Sequence, residues 1–133
     1  MSFEITETER EGIVILALKG RLTVGEASTV REKVSAVVAG GRVNIILDLA
    51  HCDYIDSTGL GSMVICYTTL KKAGGALKLV NLNKRNIELL LLTKLSTIFE
   101  IFGDEQDAVN SFFPDRGIRH FDILSFVQEQ QKE

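Results

Sequence analysis

In the run Ile55-Asp56-Ser57-Thr58-Gly59-Leu60-Gly61, a carboxylate and two hydroxyls stand directly before a stretch with helical apolar spacing. Two kinds of chemistry suit that grouping. Ser57 or Thr58, at or beside the helix N-cap, can offer a side-chain oxygen to one of the first unpaired backbone N–H groups, and losing such a cap costs about 1 kcal/mol. A hydroxyl in the same place can instead accept a phosphoryl group. Capping alone accounts for Ser57 but leaves the glycines unexplained, because Gly59 and Gly61 each lower helix stability by roughly 1 kcal/mol relative to alanine. Bare backbone there would let a partner protein or an active site approach the helix start. A phosphate on Ser57 would meet the positive end of the helix dipole and also stand beside the Asp56 carboxylate. Those effects oppose each other within the chain, whereas about two negative charges set into a contact surface repel a bound partner. The expected consequence is loss of binding, not unfolding.

The elements that must position this run follow from periodicity. Phe3 and Ile5 alternate with polar neighbours, and Ile13-Val14-Ile15-Leu16-Ala17-Leu18 is nearly continuous and β-branched, with Gly12 as the turn between them. This predicts a hairpin of one exposed and one buried strand, ended by Gly20. From Ala27 the residues Val30, Val34, Val37 and Val38 recur at helical spacing until Gly40-Gly41. A central strand is expected over Val43 to Leu49, apolar at nearly every position. Leu60, Met63, Val64, Tyr67 and Leu70 then give a second helix between Ser57 and Ala73, stopped by Gly74-Gly75. Leu77 to Val80 reads as a strand, Ile87, Leu90 and Leu91 as a third helix, Phe99-Glu100-Ile101 as a brief strand, and Asp104 as the cap of a fourth helix through Ala108, Val109 and Phe112. The order β-β-α-β-α-β-α-β-α implies one α/β domain with a mixed sheet, parallel where right-handed crossovers connect it. Beyond Pro114, residues Ile118, Phe121, Ile123, Leu124, Phe126 and Val127 are too apolar for a solvated tail. They must dock either on their own domain or on a second copy in a homodimer.

Composition narrows the function. A chain of 133 residues holds one hydrophobic core, and a net charge of −3 with interspersed signs offers no basic field for nucleic acid. No apolar run approaches the roughly 20 residues a bilayer requires, so membrane insertion is not expected. Cys52 and Cys66 read as reduced thiols of a cytoplasmic protein, Cys66 in the core and Cys52 without a second ligand nearby, so no metal and no cofactor is expected. Enzymatic readings fit poorly. A phospho-accepting Asp56 or Asp48 of the receiver type would need an early acidic pair and a late lysine, for which Glu4 and Lys94 are weak matches. His51, read as a loop residue, and His120 are isolated, no G-x-S-x-G elbow surrounds a serine, and Gly59 and Gly61 lack the further glycine and lysine of a phosphate-binding loop. Arg31-Glu32-Lys33 reads as a solvated face or as the edge of a partner surface.

Leu47-Asp48-Leu49, then Tyr54-Ile55-Asp56-Ser57-Thr58-Gly59-Leu60-Gly61, then Gly74-Gly75-Ala76-Leu77-Lys78-Leu79-Val80-Asn81, resemble the STAS family of anti-sigma-factor antagonists, from about Phe3 to Phe113. The resemblance implies a STAS-like domain over residues 1–113, with 114–133 as an extension outside it. It implies a non-enzymatic switch: the serine after the aspartate, Ser57, is phosphorylated by an anti-sigma factor that is itself a serine kinase, which ends binding, and a serine phosphatase restores it. Asp56 would then orient the loop, Thr58 support the cap, Gly59 and Gly61 provide access, and Leu60 and Met63 anchor the helix. Where many relatives carry an acid after the second strand, this chain reads Gly20-Arg21-Leu22-Thr23. The resemblance places residues 21–26 near Ser57, so Arg21 and Thr23 join Asp56, Thr58, Gly59, Leu60 and Gly61 as expected partner-binding residues. The alternative is a STAS module without a kinase, acting as a scaffold or as an accessory subunit of a larger assembly such as a transporter.

Overall fold

A computed structural model describes residues 3–132. The elements are β1 (Glu4–Arg10), β2 (Ile13–Leu22), α1 (Val24–Ala39), β3 (Asn44–Ile55), α2 (Ser57–Lys72), β4 (Ala76–Val80), α3 (Lys84–Leu92), β5 (Glu100–Phe102), α4 (Glu105–Asn110) and α5 (Ile123–Lys132), with a 3-10 turn at Leu95–Thr97. Through α4 this is the order the sequence predicts. Glu11 and Gly12 both adopt positive φ, 54° and 86°, which is the two-residue turn whose twist matches a tight antiparallel hairpin.

The five strands lie side by side in chain order; β1 runs antiparallel to β2, and every other neighbouring pair is parallel. Each parallel step needs a crossover, and α1, α2 and α3 supply them on one face. There Val30, Val34 and Val37 of α1, Leu60, Met63, Cys66 and Leu70 of α2, and Leu90 of α3 pack with Val14, Leu16, Leu18, Ile45, Leu47, Leu49, Leu77 and Leu79. The opposite face, Ile13, Ile15, Ile46, Val80 and Phe102, is covered by Ala108 and Val109 of α4 with Phe112 and Phe113 behind them. Burial on both faces explains why β2 and β3 read as unbroken apolar runs and not as an alternation. Lys78 is buried on this second face, and its ammonium donates to the Ser111 hydroxyl at 2.8 Å and the Ser111 carbonyl at 3.2 Å.

Several boundaries differ from those expected. Gly20 does not end β2: at φ 118° it sits at an irregularity in the pairing, and the strand continues through Arg21 and Leu22. β3 likewise runs past Leu49 to Ile55, because Lys19 to Leu22 remain available as partners for His51 to Ile55. His51 is therefore a strand residue paired with Lys19, not a loop residue. α1 begins at Val24, three residues before its first buried side chain, with the Glu26 carboxylate receiving the Thr23 hydroxyl at 2.6 Å and the Thr23 N–H at 3.3 Å. β5 is displaced by one residue, to Glu100–Phe102, and α4 stops at Asn110, short of Phe112.

The segment after Pro114 returns to the sheet. The Phe121 amide donates to the Ile101 carbonyl at 3.0 Å, the His120 ring lies 4.9 Å from that of Phe102, and Phe121 and Ile123 pack against the main core. Leu124 on α5 is 67% exposed.

Candidate functional site

Three strand ends converge at the carboxyl edge of the sheet. β3 overruns β4: their pairing ends at Asp48 and Val80, so residues 49–55 keep only β2 beside them. Side chains from the start of α3 occupy the vacated side. Asn86 Nδ2 donates to the Cys52 carbonyl at 2.9 Å, Asn83 Nδ2 to the Asp53 carbonyl at 3.1 Å, and Arg85 Nη1 to the Ile55 carbonyl at 2.9 Å. Asn83 also caps α3 by accepting the Asn86 N–H at 2.8 Å. Backbone carbonyls that a fourth strand would have paired are thus satisfied by amides and a guanidinium.

The overrun delivers β3 to Asp56, whose N–H donates to the Leu22 carbonyl at 3.2 Å. Asp56 stays extended, at φ −96° and ψ −176°, and its carboxylate accepts the Gly59 N–H at 2.8 Å. Asp56 is therefore the N-cap of α2. The cap is neither Ser57 nor Thr58, and Thr58 gives it no support, because the carboxylate of the last extended residue already reaches the third helical amide. Ser57 is the first helical residue; both it and Thr58 are exposed, and among the described residues neither hydroxyl has a hydrogen-bond partner.

The two glycines play different parts. Gly59 is buried, and a Cβ on it would collide with the Leu22 carbonyl oxygen and stand 2.9 Å from Leu22 Cγ. Its missing side chain lets α2 close onto the end of β2, so it does not provide access from solvent as the sequence suggested. Gly61 is exposed with open space around it. Leu60, expected at the partner surface, is buried in the core with Met63, and both serve as anchors.

The solvent-facing stripe of α2 is Ser57, Gly61 and Ile65, spaced four residues apart and all exposed, Ile65 to 51%. Val24, 73% exposed, opens α1, the helix packed alongside. Near the α2 start, where β2 and β3 end, lies an aromatic and cationic cluster. The guanidinium carbons of Arg21 and Arg85 lie 4.3 Å and 3.9 Å from the centroid of the Tyr54 ring. Arg21 reaches it because β2 and β3 place it in register with Tyr54. Thr23 lies just beyond, half-buried, its hydroxyl held by Glu26.

Sequence reasoning brought Arg21 to this edge but missed Tyr54, Asn83, Arg85 and Asn86. The polar run Asn83-Lys84-Arg85-Asn86 before an apolar stripe signals a helix start; nothing local signals that its side chains hold a strand. Burial pushes the Cys66 thiol up to about 11 and raises that of Cys52, so neither offers a thiolate nucleophile near neutral pH. Among the described residues no cluster of three His, Cys, Asp or Glu could hold a metal ion, and no helix is long and apolar enough to cross a membrane.

The STAS domain model matches residues 4–108. The chain is 32% identical over 109 residues to the anti-sigma-B factor antagonist of Bacillus subtilis, covering 82% of this chain and 99% of that protein. It is 32% identical over 101 residues to the anti-sigma-B factor antagonist of Listeria monocytogenes, covering 76% and 88%. The crystal structure of an anti-sigma factor antagonist from Mycobacterium paratuberculosis superposes with a TM-score of 0.74 at 22% identity, covering 83% of this chain and 93% of that one, which shows the shared fold. From strand order to the Asp-Ser-Thr-Gly helix start, the chain belongs to the STAS domain family.

Proposed function

We propose that the protein is an anti-sigma-factor antagonist whose binding is switched by phosphorylation of Ser57. Unphosphorylated, it sequesters an anti-sigma factor; that factor, acting as a serine kinase, transfers the γ-phosphoryl group of ATP to Ser57 Oγ, the hydroxyl proton leaves to a base on the kinase, and ADP remains. A serine phosphatase hydrolyses the ester and restores binding. The names of the Bacillus and Listeria relatives support the antagonist role.

One observation carries the switch: the Ser57 hydroxyl is exposed and uncommitted while the Asp56 carboxylate performs the capping. A serine needed only to start a helix would be the cap itself. The stripe of Ser57, Gly61 and Ile65, with Val24 on the adjacent helix, gives a partner an apolar surface whose edge is the modified hydroxyl. Phosphorylation sets about two negative charges there, which opposes an apolar contact by desolvation without removing a bond the fold depends on. Arg21 and Thr23, beside this surface, select the partner.

The test is intact-mass measurement of the protein from its native cells, beside a Ser57→Ala form. A single added phosphate that disappears in the variant is the expected result. A phosphate elsewhere, or none under any growth condition, overturns the reading.

A further inference from the structure

The paired guanidinium groups at Tyr54 are not explained by folding alone. Arg85 has a structural bond, to the Ile55 carbonyl at 2.9 Å, and another to Asn86 Oδ1 at 3.2 Å. Among the described residues the Arg21 guanidinium makes only its contact with the Tyr54 ring. Both arginines are exposed, and among the described residues neither stands in an ion pair, although elsewhere the chain carries ion pairs such as Lys33 with Glu7 and Arg116 with Glu11. Two like charges drawn to one ring leave the Arg21 fork and the Arg85 donors other than Nη1 open to an anion, and a ring beneath them limits the rotamer freedom that anion binding would cost.

Their position selects which anion. Arg85 is bonded to the carbonyl two residues before Ser57, and an extended step of two residues spans about 7 Å. Arg21 precedes Leu22, whose carbonyl accepts the Asp56 N–H and abuts Gly59 in the first turn of α2. The cluster and the Ser57 hydroxyl therefore flank one helix start, both open to solvent.

We propose that Arg21 and Arg85, braced by Tyr54, form a receptor within the chain for a phosphate monoester carried on Ser57. This rests on the reading of Ser57 as a phospho-acceptor and adds what the phosphate does once attached. The dianion draws one or both guanidinium forks off the Tyr54 ring, since a charge-assisted contact with phosphate is stronger than a stacked one in water. The modified surface then changes in shape as well as charge: an ester is tethered across the approach to Gly61, and the cationic cluster is neutralised. Within the segments that converge here, residues 20–26, 53–57 and 84–86, the charged side chains are Arg21, Glu26, Asp53, Asp56, Lys84 and Arg85. Glu26 is held by Thr23, and Asp56 by the Gly59 amide.

The experiment installs phosphoserine at position 57 of the full chain during translation and follows the phosphorus resonance through a pH titration. A free phosphoserine loses its second proton near pH 6. Cations at the site favour the dianion, so the wild-type phosphoprotein is expected to titrate lower than the phosphorylated Arg21→Gln/Arg85→Gln form by about 0.5 to 1 pH unit. The helix dipole and the carboxylates are common to both proteins and cancel in the difference. Arg21→Gln alone, which removes no hydrogen bond, is expected to give part of the shift, and it serves if the double variant folds poorly. Coincident titration curves for wild type and Arg21→Gln, with the double variant also coincident or unfolded, overturn the receptor. Because the phosphate is installed without a kinase, that outcome leaves the switch itself to be judged by the mass measurement on native protein.

Discussion

Gly59 meets the carbonyl of Leu22 with no room between them for a side-chain carbon, and this contact welds the first turn of α2 to the end of β2. The same carbonyl accepts the Asp56 N–H, so one oxygen fixes both the last extended residue and the entry angle of the helix.

Gly59→Ala is therefore expected to destabilise the protein by about 1–3 kcal/mol through overpacking. Gly61→Ala, made into open space on the same helix, is expected to stabilise it by up to about 1 kcal/mol. Urea denaturation separates them. Equal effects would mean that the two glycines share one role.

Asp56→Ala removes the cap and is expected to cost about 1 kcal/mol, whereas Ser57→Ala is expected to stay within about 0.5 kcal/mol of wild type. Ser57→Asp is expected to keep the melting temperature and weaken binding to the cognate anti-sigma factor, measured by calorimetry. A large loss of stability in either Ser57 variant would return the hydroxyl to a capping role.

Asn86 is buried, and its amide satisfies the Cys52 carbonyl where β4 no longer does. Asn86→Ala is expected to cost about 1–3 kcal/mol by leaving that carbonyl unpaired. Hydrogen exchange should show the loosening concentrated in residues 50–55 and not in the β2–β3 centre.

Cys66 is held as the neutral thiol, its value raised by burial from 9.0 to about 11. For a group whose folded value is raised, the stabilisation is whole below the ordinary value near 9 and is lost as pH rises through about 11. Iodoacetamide at pH 8 is expected to leave Cys66 unmodified in the native protein and to label it quickly in denaturant. Rapid native labelling would contradict the burial.

Truncation before Pro114 strips the Phe121 amide from the Ile101 carbonyl and uncovers Phe102. The truncated protein is expected to melt lower and to bind more of an apolar dye. An unchanged melting curve and an unchanged mass by light scattering would show that the segment is dispensable.

The order of elements was legible because Val43 to Leu49 and Leu60 to Leu70 carry unambiguous periods. The second half of β3 was not. His51, Asp53 and Tyr54 are polar or amphipathic, and their strand exists because β2 lies on one side and the side chains of Asn83, which caps α3, and of Arg85 and Asn86 within it, some thirty residues away, satisfy carbonyls on the other. The cap was ambiguous for a simpler reason. Asp56, Ser57 and Thr58 are all good N-cap residues, and the choice falls to Asp56 through the Leu22 carbonyl, a long-range contact that no local pattern records. Tyr54 was legible only as part of a motif; its role as a platform for Arg21 and Arg85 depends on register between distant segments.

Placing the capping duty on Asp56 and leaving Ser57 idle has a consequence for wear. A hydroxyl on which no backbone group relies can be esterified and freed many times without loosening the helix beneath it. Under the proposed switch, the message and the material that carries it are held by adjacent residues, so a mark can be written and erased while the page stays intact.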